Sequence, residues 1–545
     1  MTKLGITVFV LLSLTLVDDA SIYVGASNDT PIIDLGYAKY QGVFDSANNV
    51  TNYLGIRYAA PPTENLRWRA PQLPADNTSV VQLANTQPQA CLQANQGESS
   101  TNPLEDLDKR TSASANPEDC LFLNVYFPGD IVPTESLPTL VWIHGGGYIA
   151  GDAASFTGSD LMREANNEIV LVIMQYRLGL FGFLAGSEVE ENGDLNAGLL
   201  DQDFALRWVQ THISKFGGDP AKVTIWGESA GAGSVLQHIV AQDGRSSPQL
   251  FRGAITSSTF LPSQYLYNDT IPEVSAQMIN IRPFLTTPKL LYSEVVSQAG
   301  CSSANDSLTC LRAVDATTLE AINSRINIEG FFGTFVFVPV VDGRFITQRP
   351  TEALKQGKIN GKALLSFTNT NEGNVFVNQT DPITNASLYA STLFPKFGSQ
   401  QAQMTELLYA NLGSSVQQDD LIMGESIFVC PTYYLLNAFA NSGWKGEFAV
   451  PPATHGSDLV YYFTSQGTPA FNNTDFLAAF QGAFMSFVVS QNPNEKINST
   501  ITPSWNLYSQ GDTEMVFNRT VDGQPDVHVN TTNQDLLQRC KALAH

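Results

Sequence analysis

The stretch Val223-Thr224-Ile225-Trp226-Gly227-Glu228-Ser229-Ala230-Gly231-Ala232-Gly233 holds the pattern Gly-x-Ser-x-Gly between an apolar, β-branched run and the helix-forming Ser234-Val235-Leu236-Gln237-His238. A strand that turns sharply into a helix lifts the serine to a strained tip above a sheet, and the residues two places before and after it must be tiny. Gly227 and Gly231 occupy those places. The tip lies at a helix N-terminus, where backbone N–H groups and the helix dipole favour developing negative charge. The pentapeptide alone is common; the strand before it and the helix after it mark Ser229 as a nucleophile.

Attack by a serine on a carbonyl creates an oxyanion, which needs N–H donors already aimed at it. His144-Gly145-Gly146-Gly147 follows the apolar run Leu137–Ile143, and three glycines let a backbone come close and turn its amides inward. Gly146, Gly147 and Ala230 are the expected oxyanion donors. No Gly-Lys-Ser/Thr follows, so the glycines do not read as a phosphate cradle.

The serine also needs a base, and the base a carboxylate to hold its tautomer. In strand-elbow hydrolases the chain order is serine, acid, histidine. His455, His528 and His545 lie far enough downstream. His545 ends the chain and His528 sits in a sequon-bearing tail after Asp522-Gly523, whereas His455 follows the strand-like Phe448-Ala449-Val450. His455 is the expected base; His238, nine residues past Ser229 on the same helix, is expected to pack. For the acid, Glu372 follows the apolar run Ala363–Phe367, where a parallel strand would end, while Asp342 in Val341-Asp342-Gly343 reads as a turn aspartate. Glu372 is the expected acid, and Asp458 is too near His455 in sequence to be its partner.

These residues require a scaffold of buried strands. Leu137–Ile143, Ile169–Met174, Lys222–Trp226, Ala254–Thr256 and Ala363–Phe367 are apolar on both faces, as central parallel strands are. A helical pattern over Ala197–Phe216 separates two of them, and this alternation predicts a doubly wound α/β sheet. Residues 36–60 alternate as a small N-terminal antiparallel sheet would. Residues 92–119 read as a polar loop or flap, and 268–335 and 380–445 as helical insertions above the sheet.

Lys and Arg total 29 against 52 Asp and Glu, a net charge of −23. Such a surface repels phosphate backbones and anionic membranes, which argues against nucleic-acid partners. Lys3 precedes an apolar run, Leu4–Val17, too short to span a bilayer. It reads as a secretory signal over residues 1–20, cleaved after Ala20 or Ala26 and leaving 27–545 as a single domain with no transmembrane anchor. Eleven Asn-x-Ser/Thr sequons, at Asn28, Asn49, Asn77, Asn268, Asn305, Asn378, Asn385, Asn472, Asn498, Asn518 and Asn530, fit a secreted glycoprotein. Of the six cysteines, Cys301 and Cys310 flank a polar stretch that suits a local bridge. Without Cys-x-x-Cys or clustered histidines, neither a metal nor another cofactor is expected.

With these motifs in hand the chain resembles the type-B carboxylesterase/lipase family, which includes secreted fungal lipases and cholinesterases. The resemblance runs through Tyr53-Leu54-Gly55-Ile56-Arg57-Tyr58-Ala59-Ala60-Pro61-Pro62, Leu66-Arg67-Trp68, Glu118-Asp119-Cys120-Leu121-Phe122-Leu123-Asn124-Val125, Phe216-Gly217-Gly218-Asp219-Pro220 and Asn371-Glu372-Gly373. It implies an α/β-hydrolase fold with helices on both faces of a twisted sheet, a triad of Ser229, Glu372 and His455, and bridges Cys91–Cys120 and Cys301–Cys310. It gives Cys430 and Cys540 no place. The implied reaction is hydrolysis of hydrophobic aliphatic, aryl or terpenoid esters, with water as second substrate. The aromatic stretch Phe331–Phe337 lines an acyl or aryl pocket on one reading and packs in the core on another. Fungal lipases carry a long amphipathic lid; here the segment between Cys91 and Cys120 is shorter and polar, with Leu104 and Leu107 its large aliphatics between Gln93 and Pro117. A lipase activated at an interface is therefore the alternative. A catalytically silent adhesion module is a lesser one, because such members of the family lack the serine that Ser229 supplies.

Overall fold

The computed structural model describes residues 30–100, 117–269 and 291–543. The signal segment, both cleavage positions, Leu104 and Leu107 of the flap, and His545 lie outside the described residues.

The apolar runs form the middle of an eleven-stranded sheet. Its strands are β3 (Val43–Asp45), β4 (Val50–Arg57), β6 (Phe122–Pro128), β7 (Leu137–Ile143), β8 (Val170–Met174), β9 (Gly218–Glu228), β10 (Gly253–Ser257), β11 (Ala363–Asn369), β12 (Gly443–Phe448), β13 (Thr513–Arg519) and β14 (Pro525–Thr531). Their spatial order is β14-β13-β12-β11-β10-β9-β7-β8-β6-β4-β3. The pairs from β8 across to β13 are parallel, and the antiparallel pairs sit at the two edges.

Successive side chains of a strand point to opposite faces, so a strand apolar throughout feeds two cores. Val141, Ile143, Val172, Val223 and Ile225 enter one core; Leu140, Trp142, Leu171, Ile173 and Trp226 enter the other. Helix Ala197–His212 covers the first face through Leu199, Leu206 and Val209. Helix Thr474–Ser490 covers the second with Phe476, Phe480, Phe484 and Phe487, and the Phe484 ring stacks 4.7 Å from that of Trp226.

The small N-terminal sheet is present, though it draws on a different stretch than the alternation suggests. β1 (Ile32–Asp34) pairs antiparallel with β2 (Ala38–Gln41), which pairs parallel with β5 (Asn77–Leu83). Residues 43–57 join the edge of the large sheet instead. The two regions expected as insertions are helical where described: Leu291–Gln298, Ser307–Ala313 and Ala316–Ile328 in the first, and Ala386–Leu393, Ser399–Tyr409, Ser415–Gly424 and Cys430–Ala438 in the second. A π-turn, Glu425–Val429, joins the last two.

Disulfides join Cys91 to Cys120 and Cys301 to Cys310, and a third bridge, Cys430–Cys540, ties the second insertion to the C-terminal helix Gln534–Leu543. At the base of the flap, ion pairs Arg57–Asp119 and Arg67–Glu118 fix the residues next to Cys120. No helix among the described residues is long and apolar enough to cross a membrane.

Candidate active site

β9 ends at Glu228, and helix Ala230–Val240 begins one residue after Ser229. Ser229 holds φ 56° and ψ −123°, a conformation that costs an L-residue about 1–3 kcal/mol and persists only where the surroundings enforce it. Its N–H donates to the Ser257 carbonyl at 2.9 Å. The glycines around it are required by space: a β-carbon on Gly227 would lie 2.3 Å from the Gly231 carbonyl carbon, and one on Gly231 would lie 2.0 Å from the Ile143 carbonyl oxygen. The elbow is thus wedged against the end of β7, the strand that feeds the glycine loop.

That loop touches the serine. A β-carbon on Gly145 would meet the Ser229 Cβ at 3.0 Å. Gly146 and Gly147 both have positive φ, 99° and 64°, and the Gly146 carbonyl accepts from the N–H groups of Ile149 and Ala150, closing the turn. Gly147 has the Phe335 ring against it, close enough that a β-carbon would lie 2.2 Å from Cε1. His144 is buried, stacked on Tyr176, and its pKa is lowered to about 4 by burial, so it is a neutral structural group at the root of the loop.

Glu372 and His455 come together because the loops after β11 and β12 pair with each other: the Asn371 N–H donates to the Ala453 carbonyl at 2.8 Å. His455 Nδ1 is 2.7 Å from Glu372 Oε2, and His455 Nε2 is 2.8 Å from Ser229 Oγ. The other oxygen of Glu372 accepts from Ser258 Oγ and the Asn369 N–H, each at 2.7 Å, which fixes the carboxylate. All three side chains are buried or nearly so.

The electrostatics follow from that burial. Burial alone would lower the His455 pKa, but its bond to Glu372 and the charges of Glu372, Glu228 and Asp458 outweigh it, and the net shift is upward. Glu228 lies beside Ser229 with Oε1 3.5 Å from His455 Nε2. Burial, reinforced by Asp458 and Glu372 and opposed by His455, pushes the Glu228 carboxyl up to about 8. Asp458 accepts from Tyr462 Oη at 2.5 Å and Asn369 Nδ2 at 3.0 Å, and bonds to its own neighbours rather than to His455.

The remaining sequence candidates sit elsewhere. Asp342 is a turn aspartate that accepts from the N–H groups of Arg344, Phe345 and Ile346. His528 is on β14, paired with Asp526. His238 packs in the interior, 3.1 Å from Gln202 Oε1. Sequence reasoning missed Glu228, although it is a variable position of the pentapeptide, and the two rings that pack against His455. Phe376 and Phe428 have centroids 4.9 Å and 4.4 Å from the imidazole. Among the described residues, no group of His, Cys, Asp or Glu has the arrangement of a metal site.

The arrangement can move a proton from a hydroxyl to an imidazole and hold the resulting imidazolium against a carboxylate. Carried on this sheet, it places the chain among the α/β-hydrolases. The carboxylesterase family profile matches residues 29–537, and the chain belongs to that family. Carboxylesterase patB of Penicillium expansum is 30% identical over 522 residues, covering 86% of this chain and 89% of its own. Secreted lipase 1 of Botryotinia fuckeliana is 31% identical over 513 residues, covering 85% and 84%. The crystal structure of Aspergillus niger EstA superposes with a TM-score of 0.79 at 30% identity, covering 95% of this chain and 98% of its own. The protein is a carboxylic ester hydrolase.

Proposed function

We propose that Ser229, His455 and Glu372 form the catalytic triad of a secreted, glycosylated esterase, a single domain over 27–545, that cleaves hydrophobic esters. The observation that carries this reading is the unbroken hydrogen-bonded path from Ser229 Oγ through both imidazole nitrogens to Glu372. His455 Nε2 takes the hydroxyl proton as Oγ attacks the ester carbonyl, and the N–H groups of Gly146, Gly147 and Ala230 receive the oxyanion. Collapse of the tetrahedral intermediate breaks the ester C–O bond, and the imidazolium gives its proton to the departing alkoxide. Water then attacks the acyl-enzyme by the same route, releasing the acid and restoring Ser229. Glu372, with its second oxygen occupied by Ser258 and Asn369, keeps the imidazole in the tautomer that accepts from serine.

Hydrophobic substrates are supported by the rings around this path. Phe335 packs on Gly147, with Phe260 and Phe376 at 5.5 Å and 6.1 Å from it, so part of the aromatic stretch borders the chemistry and part, such as fully buried Phe337, is core. Secretion is supported by the leader reading and by the relative named as a secreted lipase. That relative also keeps a true lipase as the second reading. A chain-length profile of p-nitrophenyl esters, with and without emulsified triacylglycerol, separates them. Preference for soluble short and medium esters with no jump at the interface supports the esterase; activity appearing only above the solubility limit overturns it.

A further inference from the structure

The side chain that encloses His455 from one side, Phe428, belongs to the π-turn Glu425–Val429, where the Cys430 N–H reaches back to the Glu425 carbonyl. Single π-turns within helices are strained and recur at functional sites. This one is held from outside the insertion. Glu425 accepts two bonds from Arg539 of the C-terminal helix, Nε to Oε2 at 2.7 Å and Nη2 to Oε1 at 2.6 Å, and a third from Tyr409 Oη at 2.7 Å. Cys540, the next residue, is bridged to Cys430 at the end of the turn. Within the turn, the Ile427 carbonyl accepts from the Leu261 N–H, next to Phe260, whose ring packs 5.5 Å from Phe428.

We propose that Glu425 and Arg539 are positioning residues for ester hydrolysis: by clamping the π-turn to the C-terminal helix they press Phe428 onto His455. The inference rests on His455 being the base. An imidazole bonded only at its two nitrogens can still rotate about χ1 and χ2 away from Ser229. Phe428 and Phe376, stacked on each other with centroids 5.2 Å apart, both pack against the imidazole and block its rotation toward them. The Arg539–Glu425 pair is largely buried, with side chains 12% and 6% exposed, so solvent cannot replace either partner without rearrangement of the turn.

The test compares Arg539→Met, Arg539→Lys and Glu425→Gln/Arg539→Met with the parent in full-length secreted protein, with kcat expressed per site titrated by an organophosphate so that misfolded material is not counted. The expected result is a kcat for Arg539→Met lowered roughly ten- to a hundredfold with KM within about twofold, a range set by what ångström-scale misplacement costs. The low-field proton resonance of the His455–Glu372 bond should broaden or move in the same variant, and Arg539→Lys should recover part of both. Unchanged kcat per titrated site and an unchanged resonance, with only melting temperature lowered, would show the clamp to be structural and overturn the proposal. His455→Gln separates the two readings: if it keeps activity, the base assignment fails, and if it is inactive while Arg539→Met is normal, only the clamp fails.

Discussion

A β-carbon on Gly227 would stand 2.3 Å from the carbonyl carbon of Gly231, and one on Gly231 would stand 2.0 Å from the carbonyl oxygen of Ile143. Neither glycine can take a β-carbon unless the backbone that carries Ser229 moves. Gly227→Ala or Gly231→Ala must therefore displace Oγ from its place 2.8 Å from His455 Nε2. Displacement of about 1 Å costs roughly a hundredfold in rate, so each variant should keep about 1% of activity or less. Assay per folded molecule, with folding checked by near-ultraviolet circular dichroism, reads this out.

Glu372→Gln should be more damaging than its small change of shape suggests. An amide can present its NH2 to His455 Nδ1, which favours the tautomer with hydrogen on Nε2 and leaves no acceptor for the serine proton. The loss is on the order of 10⁴ in kcat, as for a triad whose acid becomes an amide. Stopped-flow measurement of acylation by p-nitrophenyl acetate should show the burst slowed by that factor, with substrate binding little altered.

Much of this site is legible in sequence because its parts are local. The elbow, the glycine loop and the strand ends before Glu372 and His455 each lie within one short segment, and the order of the segments gives the expected acid and base. What sequence did not disclose is contact between distant segments. Cys430 and Cys540 are 110 residues apart, with no spacing signal to pair them. Phe376 and Phe428 meet at His455 from two separate helical turns, and nothing in either stretch marks that meeting. Residues 36–60 alternate as a sheet does, but alternation does not name a partner, and 43–57 pair with the large sheet through β6. Glu228 was in view from the start; only its burial beside His455 makes it notable.

The pH dependence follows from two groups. His455 must be neutral to accept a proton, and its pKa lies above the ordinary 6.5, so kcat/KM should fall as pH drops through a value higher than that. Glu228 is raised from 4.5 to about 8. A carboxyl raised on folding stabilises the fold fully below 4.5 and loses that contribution as pH rises through about 8. Glu228→Gln should accordingly melt higher than the parent at pH 9, with the difference shrinking toward pH 5. A constant difference across that range would contradict the assignment.

Phe335 limits the space beside Gly147. Phe335→Ala should shift preference toward longer acyl chains, raising the ratio of kcat/KM for octanoate over acetate esters by roughly 10- to 100-fold, the scale on which pocket volume discriminates methylenes. An unchanged ratio would place the acyl group elsewhere.

We propose that catalysis runs through an acyl group on Ser229. The most direct test is mass spectrometry of the enzyme quenched in acid during turnover of p-nitrophenyl acetate, together with assay of Ser229→Ala. An acyl-enzyme at Ser229 requires an acetyl group on the peptide containing it and a loss of about 10⁶ in kcat for the variant. An adduct on another residue, or more than a per cent of activity left in Ser229→Ala, would contradict it.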